Sequence, residues 1–134
     1  MGRSTALEFV NEVAMVVIND KDETGLYRAA EEMQELGSPV VPVTGDITKN
    51  ETREALVGKA MAQYGKIDIL FNYVEGEPAS GPFRPFLEQT EQYLDKMIDL
   101  NLESTILLCK AVFGHMIQNR TGRGGKRGFL SGFR

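Results

Sequence analysis

Residues 64–72, YGKIDILFN, constrain the fold more than any other stretch of this chain, because a helix stop, a buried strand and a polar strand end follow one another without a spare residue. Gly65 suits the left-handed position just past the end of a helix. Ile67, Ile69, Leu70 and Phe71 form a short apolar run, the pattern of a strand covered on both faces. Asn72 then lies where that strand would leave the sheet. A parallel α/β sheet presents polar side chains to a ligand at this edge.

The rest of the chain repeats the alternation. Ala6, Leu7, Phe9, Val10 and Val13 keep helical spacing, and the apolar run 13–18 that follows ends at Asn19 and Asp20. Thr24 is the expected N-cap of a second helix, with Leu26, Ala29, Ala30, Met33 and Leu36 on one face and Gly37 and Pro39 beyond its end. A second strand is expected over 40–43. Thr48 and Glu51 have the spacing of a capping box for a third helix that carries Ala55, Leu56, Ala60 and Tyr64 up to Gly65. Residues 75–88 hold three prolines and two glycines, which predicts an irregular loop. Residues 90–119 then read as one long helix with nearly two apolar faces, a helix packed on more than one side.

Length and charge narrow the function. A chain of 134 residues, 42% hydrophobic and 25% charged, can bury a core and reads as one domain. The formal net charge of −4 argues against nucleic-acid binding, and no apolar run reaches the roughly 18 residues a membrane span needs. One Cys and one His rule out a zinc site of Cys/His type, and no metal is expected. Cys109 cannot form an internal disulfide, and the start lacks a charged segment followed by an apolar one, so a cytoplasmic setting is expected. The chain divides into residues 1–121, the α/β domain, and 122–134, a basic Gly-rich tail. Its composition favours disorder, with a strand over 128–133 as the alternative.

The run 67–72 resembles the fourth strand of the short-chain dehydrogenase/reductase family, which leads into an Asn-Asn-Ala-Gly turn; here the turn is Asn72, Tyr73, Val74, Glu75, Gly76. Gly45, Asp46, Ile47 and Thr48 are similar to the family's adenine-contacting segment. Asp99, Leu100, Asn101 and Leu102 resemble the segment whose Asn supports the catalytic proton relay. Gly2 stands where the last glycine of the pyrophosphate turn would be. The resemblance implies NAD as cofactor. Asp20 and Asp46 with Ile47 would contact the adenosine end, Gly2 and Asn72 would lie near the phosphates and nicotinamide, and Asn101 would be the catalytic residue. Asp20 favours NAD over NADP, because its carboxylate would repel a 2′-phosphate, although Lys21 beside it counters this.

The resemblance also marks what is absent from this sequence. The glycine-rich turn is reduced to Gly2, and the family's first strand is missing with it. None of Tyr27, Tyr64, Tyr73 and Tyr93 has a Lys four residues on, so the Tyr-x-x-x-Lys element is lacking. The expected architecture is an α/β, incomplete Rossmann-like parallel sheet of three strands (13–18, 40–43 and 67–71) flanked by helices, its first strand missing. The gap closes by direct pairing of its neighbours, by a strand from a second copy, or by insertion of the tail. The function implied is that of a truncated relative of NAD(P)-dependent oxidoreductases, silent in catalysis and weak at best in NAD binding. The other reading is an assembly module that dimerises through the long helix and the open sheet edge. A homo-oligomer is the expected partner state, and a nucleotide the expected small molecule.

Overall fold

The protein is described from a computed structural model, which covers residues 2–74, 85–119 and 128–132. Helix α1 (Gly2–Asn11) leads into strand β1 (Met15–Asp20), then come α2 (Glu23–Glu35), β2 (Val40–Thr44), α3 (Asn50–Tyr64) and β3 (Ile69–Phe71). A short 3-10 turn, Phe86–Glu88, precedes α4 (Glu91–Ile98), a π-helical turn (Asp99–Glu103), α5 (Ser104–Gln118) and strand β4 (Gly128–Gly132).

All strand pairs are parallel, in the order β2-β1-β4-β3. Pro42 lies inside β2, opposite Ile18. A residue without an N–H is tolerated there because β2 is an edge strand. In β1, Val16 and Ile18 face one core, with Ala6 and Val10 of α1 and Leu26, Ala30 and Met33 of α2. Val17 faces the other, with Leu56 and Ala60 of α3 and Leu108 and Val112 of α5. The two faces of one buried strand thus nucleate the two helical layers. Tyr64 fastens the end of α3 to the sheet's lower edge, its hydroxyl donating to the Pro39 carbonyl at 3.1 Å.

The sheet has four strands where three were expected. Residues 128–132 lie between β1 and β3, with Leu130 level with Val17 on one side and Leu70 on the other. Without them, β1 and β3 would face each other across a gap with unpaired N–H and C=O groups, each costing about 1–3 kcal/mol when buried. The insertion of the tail is therefore the way the gap closes within one chain. The other residues of the segment 122–134 lie outside the described residues.

Several boundaries also differ. The first strand starts at Met15 rather than at 13, because Val13 sits in a turn with φ 61° and 77% exposure that closes α1. Asp22, not Thr24, flanks the start of α2. Lys49 flanks α3, because the Thr48 hydroxyl is engaged by Asp46 instead of capping the helix. Gly65 ends α3 as expected, with φ 72°. The expected helix over 90–119 begins as read, Thr90 Oγ1 accepting from the Tyr93 N–H at 3.2 Å, but the π turn at Asp99–Glu103 interrupts it. The expected loop 75–88 lies largely outside the described residues. Among those described, no helix is long and apolar enough to cross a membrane.

Candidate functional site

The carboxyl ends of β1 and β2 are tied together by one buried side chain. Asn19, 3% exposed, donates from Nδ2 to the Val43 carbonyl at 2.8 Å and the Gly45 carbonyl at 3.0 Å. The Gly45 N–H returns a bond to the Asp20 carbonyl at 3.0 Å. Gly45 holds φ at 154°, and a Cβ there would lie 2.5 Å from Thr52 Oγ1, so the turn that aims the next residues requires glycine. Below this turn Arg53, 7% exposed, donates from Nη1 to the carbonyls of Ile47 and Thr48, each at 2.8 Å. A buried guanidinium thus fixes the backbone that follows Asp46.

These ties shape an open pocket of about 30 Å³ at the sheet's carboxyl edge. Its floor comes from Asn19, Asp20 and Lys21 of the first strand end and Gly45, Asp46 and Ile47 of the second. Val74, after β3, and Leu100, in the π turn, close the opposite side. The two carboxylates have opposite character. Burial pushes Asp20 above its ordinary value of 3.8, against N–H groups of Asp22 and Lys21 that pull it down. Burial raises Asp46 too, but the Thr48 N–H at 3.0 Å and hydroxyl at 2.8 Å, with Lys49 and Lys21 nearby, outweigh it and hold Asp46 below 3.8.

The sequence-derived residues divide accordingly. Asp20, Asp46 and Ile47 come together at this pocket, whereas Gly2, Asn72 and Asn101 are not among the residues lining it. Gly2 is buried at the amino end of α1. Asn72 reaches toward α5, its Nδ2 3.4 Å from Cys109 Sγ. Asn101 donates from Nδ2 to the Met97 carbonyl at 2.9 Å, one turn earlier in its own helical segment. The positioning roles of Asn19 and Arg53 were not singled out by sequence reasoning. The signals were a polar residue ending an apolar strand and a cation set at helical spacing on the apolar face that carries Leu56, Val57 and Ala60. Among the described residues, no group of three His, Cys, Asp or Glu side chains is placed to hold a metal.

Comparisons with known proteins agree with this architecture. The family profile for short chain dehydrogenases matches residues 1–124. A (2S)-[(R)-hydroxy(phenyl)methyl]succinyl-CoA dehydrogenase subunit from Thauera aromatica is 35% identical over 92% of this chain and 48% of its own. L-fucose dehydrogenase from Oryctolagus cuniculus is 37% identical, covering 90% and 40%. A solved short-chain dehydrogenase/reductase from Burkholderia xenovorans superposes with a TM-score of 0.75 at 31% identity over 88% of this chain and 44% of that one. NAD⁺-bound xylitol dehydrogenase shares the fold, with a TM-score of 0.77 at 24% identity over 91% and 46%. The chain spans about half the length of these relatives. With a parallel α/β sheet, an acidic pair at its carboxyl edge and a profile matched over 124 positions, the chain belongs to the short-chain dehydrogenase/reductase family.

Proposed function

We propose that this chain is the nucleotide-binding part of a short-chain oxidoreductase, which holds the adenosine end of NAD weakly and does not by itself catalyse hydride transfer. The observation that carries the reading is the convergence of Asp20, Asp46 and Ile47 on one pocket at the carboxyl edge. The donor set fits the adenosine end: Asp20 offers a half-buried carboxylate to ribose hydroxyls, and the turn braced by Arg53 carries Ile47 beside it. A nicotinamide cofactor supplies the hydride donor or acceptor in such enzymes. In this chain Asp20 would orient the ribose and repel a 2′-phosphate, and Val74 and Leu100 would shield that end from water. A pocket of about 30 Å³ is far below the roughly 300–1,000 Å³ of a preformed ligand site, which is the reason to expect weak affinity. A cytoplasmic setting belongs to the same reading, supported by the single cysteine.

Calorimetric titration with NAD and with NADP tests the proposal. NAD should bind in the high micromolar to millimolar range and NADP about tenfold more weakly, with Asp20→Asn narrowing the gap. Equal affinity for both in the unaltered chain would overturn the assignment of Asp20.

A second reading is an assembly module. Ile98, Leu102, Ile106, Phe113 and Ile117, all more than half exposed, line α4, the π turn and α5. Apolar surface of this kind marks contact surfaces, and it supports a homo-oligomer formed through this helical segment.

A further inference from the structure

The last connection of the sheet has the opposite hand to the two before it. From β1 to β2 the chain steps one way along the sheet, over the face that carries α2. From β2 to β3 it steps back the other way, over the opposite face, which carries α3. Reversing both direction and face preserves the hand. From β3 to β4 the direction is again that of the first step, but the intervening helix α5 packs with α3 on the second face. This connection is therefore a mirror of the others. Parallel crossovers are right-handed in about 98% of cases, because a twisted strand feeding a right-handed helix packs back onto its sheet that way. The constraint binds a strand to its own crossover and does not apply to a strand that arrives from another molecule. The slot itself is well specified: β4 lies between two parallel neighbours, in register with Met15 to Asn19 on one side and with Ile69 to Phe71 on the other.

We propose that the slot between β1 and β3 is a strand-acceptor site, filled in solution by residues 128–132 of a second copy in a reciprocal exchange. The same pairings form, and the mirrored crossover is no longer needed within one chain. This inference is independent of nucleotide binding, since no residue of the pocket belongs to the exchanged strand.

Cross-linking distinguishes the two arrangements. Leu70 and Leu130 are register partners, and strands spaced about 4.8 Å apart bring such Cα atoms within disulfide range. Two differently tagged chains, one Leu70→Cys and one Leu130→Cys, both carrying Cys109→Ser, are refolded together under oxidising conditions. Exchange predicts a disulfide-linked species containing both tags at twice 14.9 kDa. A chain carrying both cysteines that closes only on itself, at monomer mass, while the mixed pair stays unlinked, overturns the proposal; so does the absence of any link, which would mean that the strand does not occupy the slot. Light scattering gives a second readout. Leu130→Pro, which removes a ladder donor, should halve the mass of a chain that already carries Ile106→Glu and Ile117→Glu on its exposed helical face, and a dimer that survives all three changes overturns the exchange.

Discussion

Val13 and Gly45 both hold the backbone at positive φ, 61° and 154°, and they are opposite cases. At Val13 a β-branched side chain occupies a left-handed turn while 77% exposed, so it pays strain of about 1–2 kcal/mol with little burial in return. Val13→Asn should raise the urea midpoint by an equivalent of about 1 kcal/mol. Gly45→Ala should lower stability by roughly 2–4 kcal/mol, since its Cβ would meet the buried Thr52 side chain at 2.5 Å. The carboxylates of the pocket give a paired expectation in pH. Asp46 is held below 3.8, so its contribution is complete above its unfolded value and is lost as pH falls through the lowered folded value. Asp20 is raised above 3.8, so the fold penalises its charge at neutral pH, and that penalty is relieved as pH falls through the raised value. Asp20→Asn should therefore leave neutral stability unchanged or higher and steepen the acid loss, whereas Asp46→Asn should flatten it. Urea unfolding at about pH 7, 5 and 3 checks this, and the reverse order of slopes would contradict the assigned shifts.

At the scale of elements, the segment from Thr90 to Gln118 is where packing and sequence pattern part company. Only Ser104, Leu108 and Val112 of α5 are buried, although apolar residues recur on two faces. Ile106→Glu combined with Ile117→Glu, at positions 56% and 70% exposed, should change unfolding free energy by less than about 1 kcal/mol and weaken self-association at least about tenfold. A large fall in thermal stability at low concentration would instead mean that this face is covered within the chain. The strands at 15–20, 40–44 and 69–71 were legible because each is a short apolar run bounded by Gly, Pro or a polar end, and local pattern determines such runs. The π turn was not, because a single widened turn inside a helical segment leaves no mark in the apolar periodicity on either side of it. Nor was β4 assured: Phe129 and Leu130 are two apolar residues in a basic, glycine-rich context, and a strand there depends on partners more than fifty residues away in sequence. At the site, Asp20 and Asp46 were legible as strand ends. Asn19 and Arg53 were not, since their roles depend on buried hydrogen bonds that spacing does not encode.

For the whole molecule, the decisive question is whether half of a family member's length can turn over a substrate. Hydride transfer requires the reacting carbons about 3–3.5 Å apart and a group to move the accompanying proton. The pocket proposed for the adenosine end brings Asp20, Asp46 and Ile47 together, but Asn72 is directed at Cys109 and Asn101 at its own helix, and no Tyr in the sequence is followed four residues on by Lys. Binding and chemistry should therefore separate. We expect NAD to be detectable by titration while absorbance of the reduced nicotinamide stays flat with a panel of alcohols, sugars and ketones. The control is a chain carrying Asp46→Ala and Asn101→Ala, purified in parallel. Turnover of equal size in both proteins would point to a contaminant, because neither a pocket carboxylate nor the π-turn amide would then matter. Turnover in the unaltered chain that disappears in the double variant would overturn the silent reading and place the proton-moving machinery within these 134 residues.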